Sequence, residues 1–290
     1  MKTVLVTGAN GQLGKEIGKL SAALPGLPPI VCTTRKELDI TSAGDVEKFI
    51  DGSNIEFLVN CAAYTNVDLA EKEKEKAFLV NHDSVRNLVS AAGRKDIHII
   101  HISTDYVFDG KSNIPYREED VAAPLSVYGM SKLKGEKEVL KYAKGMIIRT
   151  SWLYSSSKGN FFSTMLRLGR ENEEVRVVFD QTGSPTFAGD LAGAIMKIVA
   201  GISGDQTGFS PGIFHYANEG VCSRYDLAVE IMKAAGMDCR VVPVESDSFP
   251  VPAARPHYSV LNKSKIKRLY SINIPHWRES LLKCTTEVNI

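Results

Sequence analysis

Short apolar runs recur through the first half of the chain, and each is followed by a stretch with helical spacing. The runs cover 3–7, 30–34, 57–61, 97–103 and 146–151. Between them, apolar positions three and four apart predict helices over 12–23, 42–51, 67–94 and 126–143, with Thr41-Ser42 and Ser126 as N-terminal caps. Strands that are apolar throughout, rather than alternately, have both faces buried. Alternating with helices, they specify an α/β class in which a doubly wound parallel sheet carries helices on both sides.

Beyond Ser151 the pattern loosens. A strand is expected over 175–179, a helix over 189–200, a strand over 213–217 and a helix over 223–235 capped by Ser223. The remainder holds Pro243, Pro250, Pro252, Pro256 and Pro275. A proline lacks the N–H that a sheet ladder needs, so this part reads as loops and edges around a ligand more readily than as a second sheet. The division implied is a dinucleotide-binding domain of 1–151 plus about 187–220, and a smaller C-terminal substrate-binding domain of about 152–186 and 221–290. The charged stretch 71–76 reads as a solvated helix face.

The first strand runs straight into Thr7-Gly8-Ala9-Asn10-Gly11-Gln12-Leu13-Gly14. Three glycines between a strand and a helix suit a Rossmann-type phosphate loop. Gly8 permits the tight turn, Gly11 lets the backbone approach a pyrophosphate, and Gly14 lets helix and sheet pack closely. The anion then rests on the helix N-terminus. In a domain that takes NAD, a carboxylate closes the second strand about 20 residues on. Here that strand ends in Thr34-Arg35-Lys36, and Arg35 is suited to a 2′-phosphate, which favours NADPH over the also possible NADH. Small residues close the third strand at Ala62-Ala63, where a dinucleotide would cross the sheet edge, and Cys61 reads as a packed thiol.

Tyr128 and Lys132 stand four apart on the helix predicted over 126–143, so both project from one face. A lysine within a turn of a tyrosine favours tyrosinate and would bring its pKa down from about 10, making Tyr128 a proton donor or acceptor near neutrality. Lys132 would also hold the nicotinamide ribose. Thr104, at the end of the fourth strand, supplies a hydroxyl for the substrate carbonyl, with neighbouring Ser103 the less favoured donor.

Composition narrows the classes further. A formal net charge of +1 over 290 residues gives no electrostatic footprint for nucleic acid. No apolar run approaches the roughly 20 residues of a membrane span, and the N-terminus lacks the form of a secretory signal. The 5 cysteines are odd in number and never spaced as C-x-x-C, so free thiols in the cytoplasm are expected.

The segments TGANGQLG, NCAAYTNVDLAE, HISTDYVFDG, YGMSKLKGE, IIRTSWLY, DQTGSPT and the late Arg255-Pro256 resemble the dTDP-4-dehydrorhamnose reductase family of extended short-chain dehydrogenases. The resemblance runs from Met1 to about Leu282. It implies reduction of the 4-keto group of dTDP-4-dehydro-6-deoxy-L-mannose, with Thr104, Tyr128 and Lys132 catalytic. It places Asn10, Gly11, Gln12, Leu13, Arg35, Asp39, Ile40, Ala62, Ala63 and Tyr64 along the cofactor, with Asp39-Ile40 near the adenine. Asp105, Trp152 and Arg255 would contact the sugar nucleotide. Some relatives pair subunits through a metal held by carboxylates. Glu16 matches one of these, but Gly189 stands where a second acid is needed and Asp190 follows it. No metal is therefore expected, and the chain reads as a monomer or weak homodimer. Two alternatives stay open: another epimerase or reductase of sugar nucleotides, or a non-catalytic NADP-binding chain like the regulatory subunit of methionine adenosyltransferase.

Overall fold

The structure, a computed structural model, describes residues 2–20 and 27–288. In chain order the elements are β1 (Thr3–Thr7), α1 (Gln12–Leu20), β2 (Ile30–Thr33), α2 (Ala43–Asp51), β3 (Ile55–Asn60), α3 (Val67–Ala70), α4 (Lys74–Phe78), α5 (Ser84–Lys95), β4 (His98–Thr104), α6 (Val127–Leu140), β5 (Gly145–Thr150), β6 (Leu153–Tyr154), α7 (Phe161–Glu171), β7 (Glu174–Val178), β8 (Thr182–Gly183), β9 (Thr186–Phe187), α8 (Ala188–Ser203), β10 (Gly212–His215), β11 (Cys222–Ser223), α9 (Arg224–Ala234), β12 (Arg240–Val244), α10 (Ser264–Tyr270) and α11 (Trp277–Thr286). The last part of the helix expected over 12–23 lies outside the described residues.

Six strands form one parallel sheet in the order β10-β5-β4-β3-β1-β2. Alternation along each strand sends side chains to opposite faces. Val4, Val6, Phe57, Val59, Ile100, Met146 and Ile148 pack with Leu13, Ile17 and the α8 residues Leu191 and Ile195 on one side. Leu5, Leu58 and Ile99 pack with Val46, Ile50 and Leu88 on the other. This is the doubly wound arrangement that the unbroken apolar strands imply. The chain leaves β1 toward β2 on one side and returns to β3 on the other. The carboxyl ends of β1 and β3 therefore flank the switch point, where α/β sheets form a ligand crevice. A separate cluster joins α7, α9 and α11 with β7, around Phe162, Met165, Leu227, Ile231 and Trp277.

Two expectations are corrected. The segment 67–94 is not one helix: α3 and α4 are separated, and a π-helical turn over Leu79–Asp83 leads into α5. The wide turn sets buried Asn81 so that it accepts from Tyr64 N at 2.8 Å and donates to Tyr64 O at 3.0 Å and Ser131 Oγ at 2.9 Å. A π turn redirects side chains in this way because it carries one extra residue per turn. The Pro-rich C-terminal part forms loops and an edge as expected, but that edge belongs to a small second sheet. Pro243 lies inside β12, which pairs in parallel with β7 alone. Each is an edge strand, where proline's missing donor need not interrupt a ladder.

Candidate active site

The loop after β1 takes the shape its glycines require. Gly8 has φ of +74°, and a Cβ there would lie 2.6 Å from Ala62 N. Gly14 packs against the Gly8 carbonyl so closely that it leaves no room for a side chain. A Cβ on Gly11 would meet only Gly8 O, at 3.2 Å, so the space above the loop is open. The first-turn amides of α1 have no acceptor within the helix and are available to an anion.

A cleft of about 340 Å³ lies here, lined by Gly8, Asn10, Gly11, Arg35, Asp39, Ile40, Ala62, Ala63 and Tyr64, with Thr7, Leu38, Cys61, Lys76 and Val80. The structure therefore brings most of the expected cofactor residues into one crevice. Gln12 and Leu13 differ. Leu13 is buried in the core beside Ile17, so only its backbone can serve a ligand. Gln12 turns toward the other lobe, accepting from Asn160 Nδ2 at 2.8 Å and Ser155 Oγ at 3.1 Å. Arg35 is exposed and pairs with Asp39 at 3.1 Å. A carboxylate does follow β2, contrary to the reading of Thr34-Arg35-Lys36 alone. Glu37, however, is turned back to accept from Thr34 N at 2.7 Å and Thr34 Oγ1 at 2.8 Å. Burial raises the Cys61 thiol, which keeps it protonated and inert as expected of a packed cysteine.

Ser126 caps α6, accepting from Gly129 N at 3.1 Å, and Glu71 accepts from Val127 N at 2.8 Å. Gly129 packs against the Tyr106 carbonyl, which seats the helix on the turn after β4. Tyr128 and Lys132 are both buried on the face that meets the sheet edge. Burial pushes the Tyr128 phenol up, and a hydrogen bond with Thr104 only partly offsets this. The expectation that Lys132 brings the phenol near neutrality is not met. Burial dominates the phenol, and it pushes the lysine itself down to about 8. The phenol is thus held protonated. Ser103 is committed elsewhere, donating to Glu136 Oε1 at 2.5 Å, and Glu136 is paired with buried Arg149 at 2.7 Å. Of the two hydroxyls considered, the one that faces Tyr128 belongs to Thr104.

Beside Thr104, Asp105 is buried. Its Oδ1 accepts from Thr104 Oγ1 at 3.0 Å, while Oδ2 completes no well-aligned hydrogen bond although Ser259 faces the carboxylate. Trp152 has φ of +48°, an uncommon backbone for a bulky residue. Its indole fits because position 183 is glycine, where a Cβ would lie 2.6 Å from the ring. The Arg224 guanidinium lies 3.7 Å from the centre of the same ring. Arg255 donates to Tyr106 Oη at 3.1 Å and to Asp68 at 2.6 Å. A broader, shallow cleft of about 570 Å³ runs alongside, lined by Phe179, Thr182, Val221, Ser223, Tyr225 and Pro243.

Sequence reasoning passed over several of these groups. Lys76 and Glu71, read as a solvated face, line the cleft and cap α6. Their reach became visible only once the 67–94 segment broke. Arg224 gave no signal, because it follows a capping serine and looks like an ordinary first-turn residue. The carboxylates considered for a metal are occupied: Glu16 pairs with Lys19 at 2.8 Å, and Asp190 accepts from Asn218 at 2.9 Å and Lys283 at 3.3 Å.

A parallel sheet with a glycine loop at its switch point and a Tyr–Lys helix at its edge defines a dinucleotide-dependent oxidoreductase of the extended short-chain dehydrogenase type. The chain belongs to the family described as RmlD substrate binding domain, whose model matches residues 1–290. It is 40% identical over 282 residues to dTDP-4-dehydrorhamnose reductase of Mycolicibacterium smegmatis, covering 96% of this chain and 83% of that one. It is 39% identical over 289 residues to dTDP-4-keto-6-deoxy-D-glucose reductase of Streptomyces niveus, covering 98% and 97%. The solved dTDP-4-dehydrorhamnose reductase of Bacillus anthracis in complex with NADP superposes with a TM-score of 0.92 at 38% identity, covering 99% of this chain and 100% of that chain.

Proposed function

We propose that the chain reduces the 4-keto group of dTDP-4-dehydro-6-deoxy-L-mannose with NADPH, giving dTDP-L-rhamnose. The observation that carries this is the edge of the sheet at β4. A buried, protonated Tyr128 stands beside the Thr104 hydroxyl and an Asp105 carboxylate whose Oδ2 completes no well-aligned hydrogen bond. Such a group set can donate a proton to a carbonyl oxygen and accept from a sugar hydroxyl.

NADPH, when bound, supplies the hydride. Gly8, Asn10 and Gly11 with the backbone of Gln12, Leu13 and Gly14 hold its pyrophosphate, and Asp39, Ile40, Ala62, Ala63 and Tyr64 shape its walls. Arg35 reads the 2′-phosphate. Lys132 grips the ribose next to Tyr128. Tyr128 delivers its phenolic proton to the developing alkoxide, and Thr104, turning its single hydroxyl hydrogen away from Asp105, donates a second hydrogen bond to that oxygen. Asp105 orients the sugar. Arg224 and Arg255 face the diphosphate with Trp152 beneath, since planar guanidinium donors suit phosphate oxygens.

The division of labour follows the two lobes, 1–151 with about 187–220 for the cofactor and the rest for the sugar nucleotide. With Glu16 and Asp190 engaged internally, a monomer or weak homodimer in the cytoplasm is the state we assign. Among the described residues no helix is long and apolar enough to cross a membrane.

The test is NADPH oxidation by the purified chain with a panel of dTDP- and GDP-linked 4-keto-6-deoxy sugars, with product stereochemistry read by NMR. Turnover of the L-mannose-series substrate to dTDP-L-rhamnose is expected. Exclusive turnover of dTDP-4-keto-6-deoxy-D-glucose would reassign the sugar. No turnover of any member would sink the reading.

A further inference from the structure

A line of buried polar groups connects the floor of the cofactor cleft with Lys132. Thr7 Oγ1 meets Asn60 Oδ1 at 2.7 Å, Asn60 Nδ2 meets His101 Nδ1 at 3.0 Å, and His101 Nε2 lies 3.4 Å from Lys132 Nζ. Thr7, Asn60 and His101 are all essentially inaccessible to solvent. The mechanism proposed above uses none of the three.

The direction of every bond in this line can be fixed. The backbone N–H of Ala62 lies 3.2 Å from Asn60 Oδ1, and an amide N–H can only donate. The atom it meets is therefore the carboxamide oxygen, which also accepts from Thr7. The Asn60 amide nitrogen must then donate to His101 Nδ1. A proton on Nδ1 would set two donors 3.0 Å apart in a place where neither can turn to water. His101 is therefore neutral with its proton on Nε2, the nitrogen that faces Lys132. Burial and the neighbouring lysine both hold the imidazole well below its ordinary pKa, which agrees with this assignment.

We propose that Thr7, Asn60 and His101 are positioning residues that present an N–H dipole to Lys132 and so set its protonation, for the reaction assigned above. The proposal rests on that reading of Lys132. Two donors facing each other disfavour the ammonium, whereas the free amine can accept the Nε2–H. The lysine still donates to Ile102 O at 2.6 Å, which fixes where Nζ sits. The other groups around it are Glu136, one turn along α6, which favours the charged form, Cys61 just after β3, whose thiol stays neutral, and Tyr128 one turn back on the same helix. Glu136 is itself bound by Arg149, which spends much of its charge elsewhere. Because Asn60 holds Nδ1, the imidazole cannot pass a proton onward. The line polarises the lysine and does not serve as a proton wire.

Selectively labelled protein tests this without turnover. The ring nitrogens of His101 are read by NMR from mildly acidic to mildly alkaline pH, and the Lys132 side chain is titrated in parallel. A pyridine-like Nδ1 and a protonated Nε2 are expected throughout. In Asn60→Asp the carboxylate accepts from Thr7, Ala62 and His101, so the ring proton moves to Nδ1 and Nε2 accepts from the ammonium. The Lys132 pKa is then expected to rise by about one unit or more, and the alkaline limb of kcat/KM to move with it. Protonation at Nδ1 in the unmodified chain overturns the proposal, whether or not the variant folds. A folded Asn60→Asp whose lysine titrates as before does so equally. Failure of the chain to reduce any 4-keto sugar would leave the nitrogen measurement intact and count only against the assigned reaction.

Discussion

On the side of the crevice built by β1, β2 and β3, most lining residues come from three consecutive strand-to-helix turns, with Lys76 and Val80 added from α4 and the π turn after it. On the opposite side, Thr104, Trp152, Arg224 and Arg255 arrive from four segments spread between residues 104 and 255. The first side is made largely of backbone and small residues held by a sheet whose register is constant from Val4 to Thr7 of β1 against both neighbours. The second depends on single contacts between loops: Gly183 under Trp152, Arg224 on the indole, Arg255 between Tyr106 and Asp68. A substitution on the first side should therefore act through backbone geometry, and one on the second through loss of an individual charge or ring.

Between the two sides stands Tyr128, and its removal should give the largest effect. Tyr128→Phe keeps the ring that packs edge-on against Tyr106, 5.4 Å between centres, and deletes only the proton donor. A fall in kcat of roughly 10²–10⁴ is expected, the usual worth of positioned acid catalysis. NADPH affinity, measured by fluorescence titration, should stay within a small factor, because the phosphate loop is remote. A variant that kept near-normal turnover would remove Tyr128 from the chemistry.

The comparison sharpens with Arg224→Ala. A guanidinium bonded to phosphate is worth about 1.5–3 kcal/mol. The KM for the sugar nucleotide should rise about tenfold to a hundredfold while NADPH affinity and kcat hardly move. Equal loss of NADPH affinity would show that the two sides are not independent.

How much of this was legible follows the same line. The strands 3–7 and 57–61, the Gly8 turn and the Tyr128–Lys132 spacing are local statements, and each could be read from a few consecutive residues. The breaks in 67–94 were not legible. Asn81 sits in a π turn because of what it bonds on Tyr64 and Ser131, and no periodicity within the segment records those partners. Ser103 and Thr104 are adjacent hydroxyls of one strand, and alternation decides between them. Ser103 turns to Glu136 on α6, while Thr104 caps the following turn and faces Tyr128. The upward shift of the Tyr128 phenol is not legible either, because spacing reports proximity to Lys132 but not the burial that dominates both groups.

Two glycine substitutions break the comparison from either side. Gly8→Ala forces a side chain into a φ of +74° against Ala62 N, a cost of about 1–3 kcal/mol. It should lower the melting temperature in calorimetry and weaken NADPH binding. Gly183→Ala first meets the Trp152 ring, which can shift at the expense of its stacking on Arg224. It should raise the KM for the sugar nucleotide by less than Arg224→Ala does and leave NADPH binding alone. The opposite pattern, with Gly183→Ala impairing the cofactor and Gly8→Ala sparing it, would invert the assignment of the two sides.

The smallest effect is expected at Arg35. Its guanidinium is the charge assigned to the 2′-phosphate, yet its side chain is 72% exposed and already paired with Asp39 at 3.1 Å. Water screens such a group, and the ion pair must loosen before the arginine can turn fully to a 2′-phosphate. Asp39 is not simply released, because Thr41 also donates to it through its N–H at 3.0 Å and its hydroxyl at 2.7 Å. The carboxylate stays in place and keeps repelling a phosphate if Arg35 is removed. Arg35→Ala should therefore reduce the preference for NADPH over NADH by about twofold to fivefold, mostly through weaker NADPH binding. Raising the ionic strength should shrink the preference of the unmodified chain in the same direction while leaving that of the variant nearly flat. If the variant keeps the full preference and its salt dependence, the 2′-phosphate is read by another cation, and Lys76 on the same cleft is the next to replace.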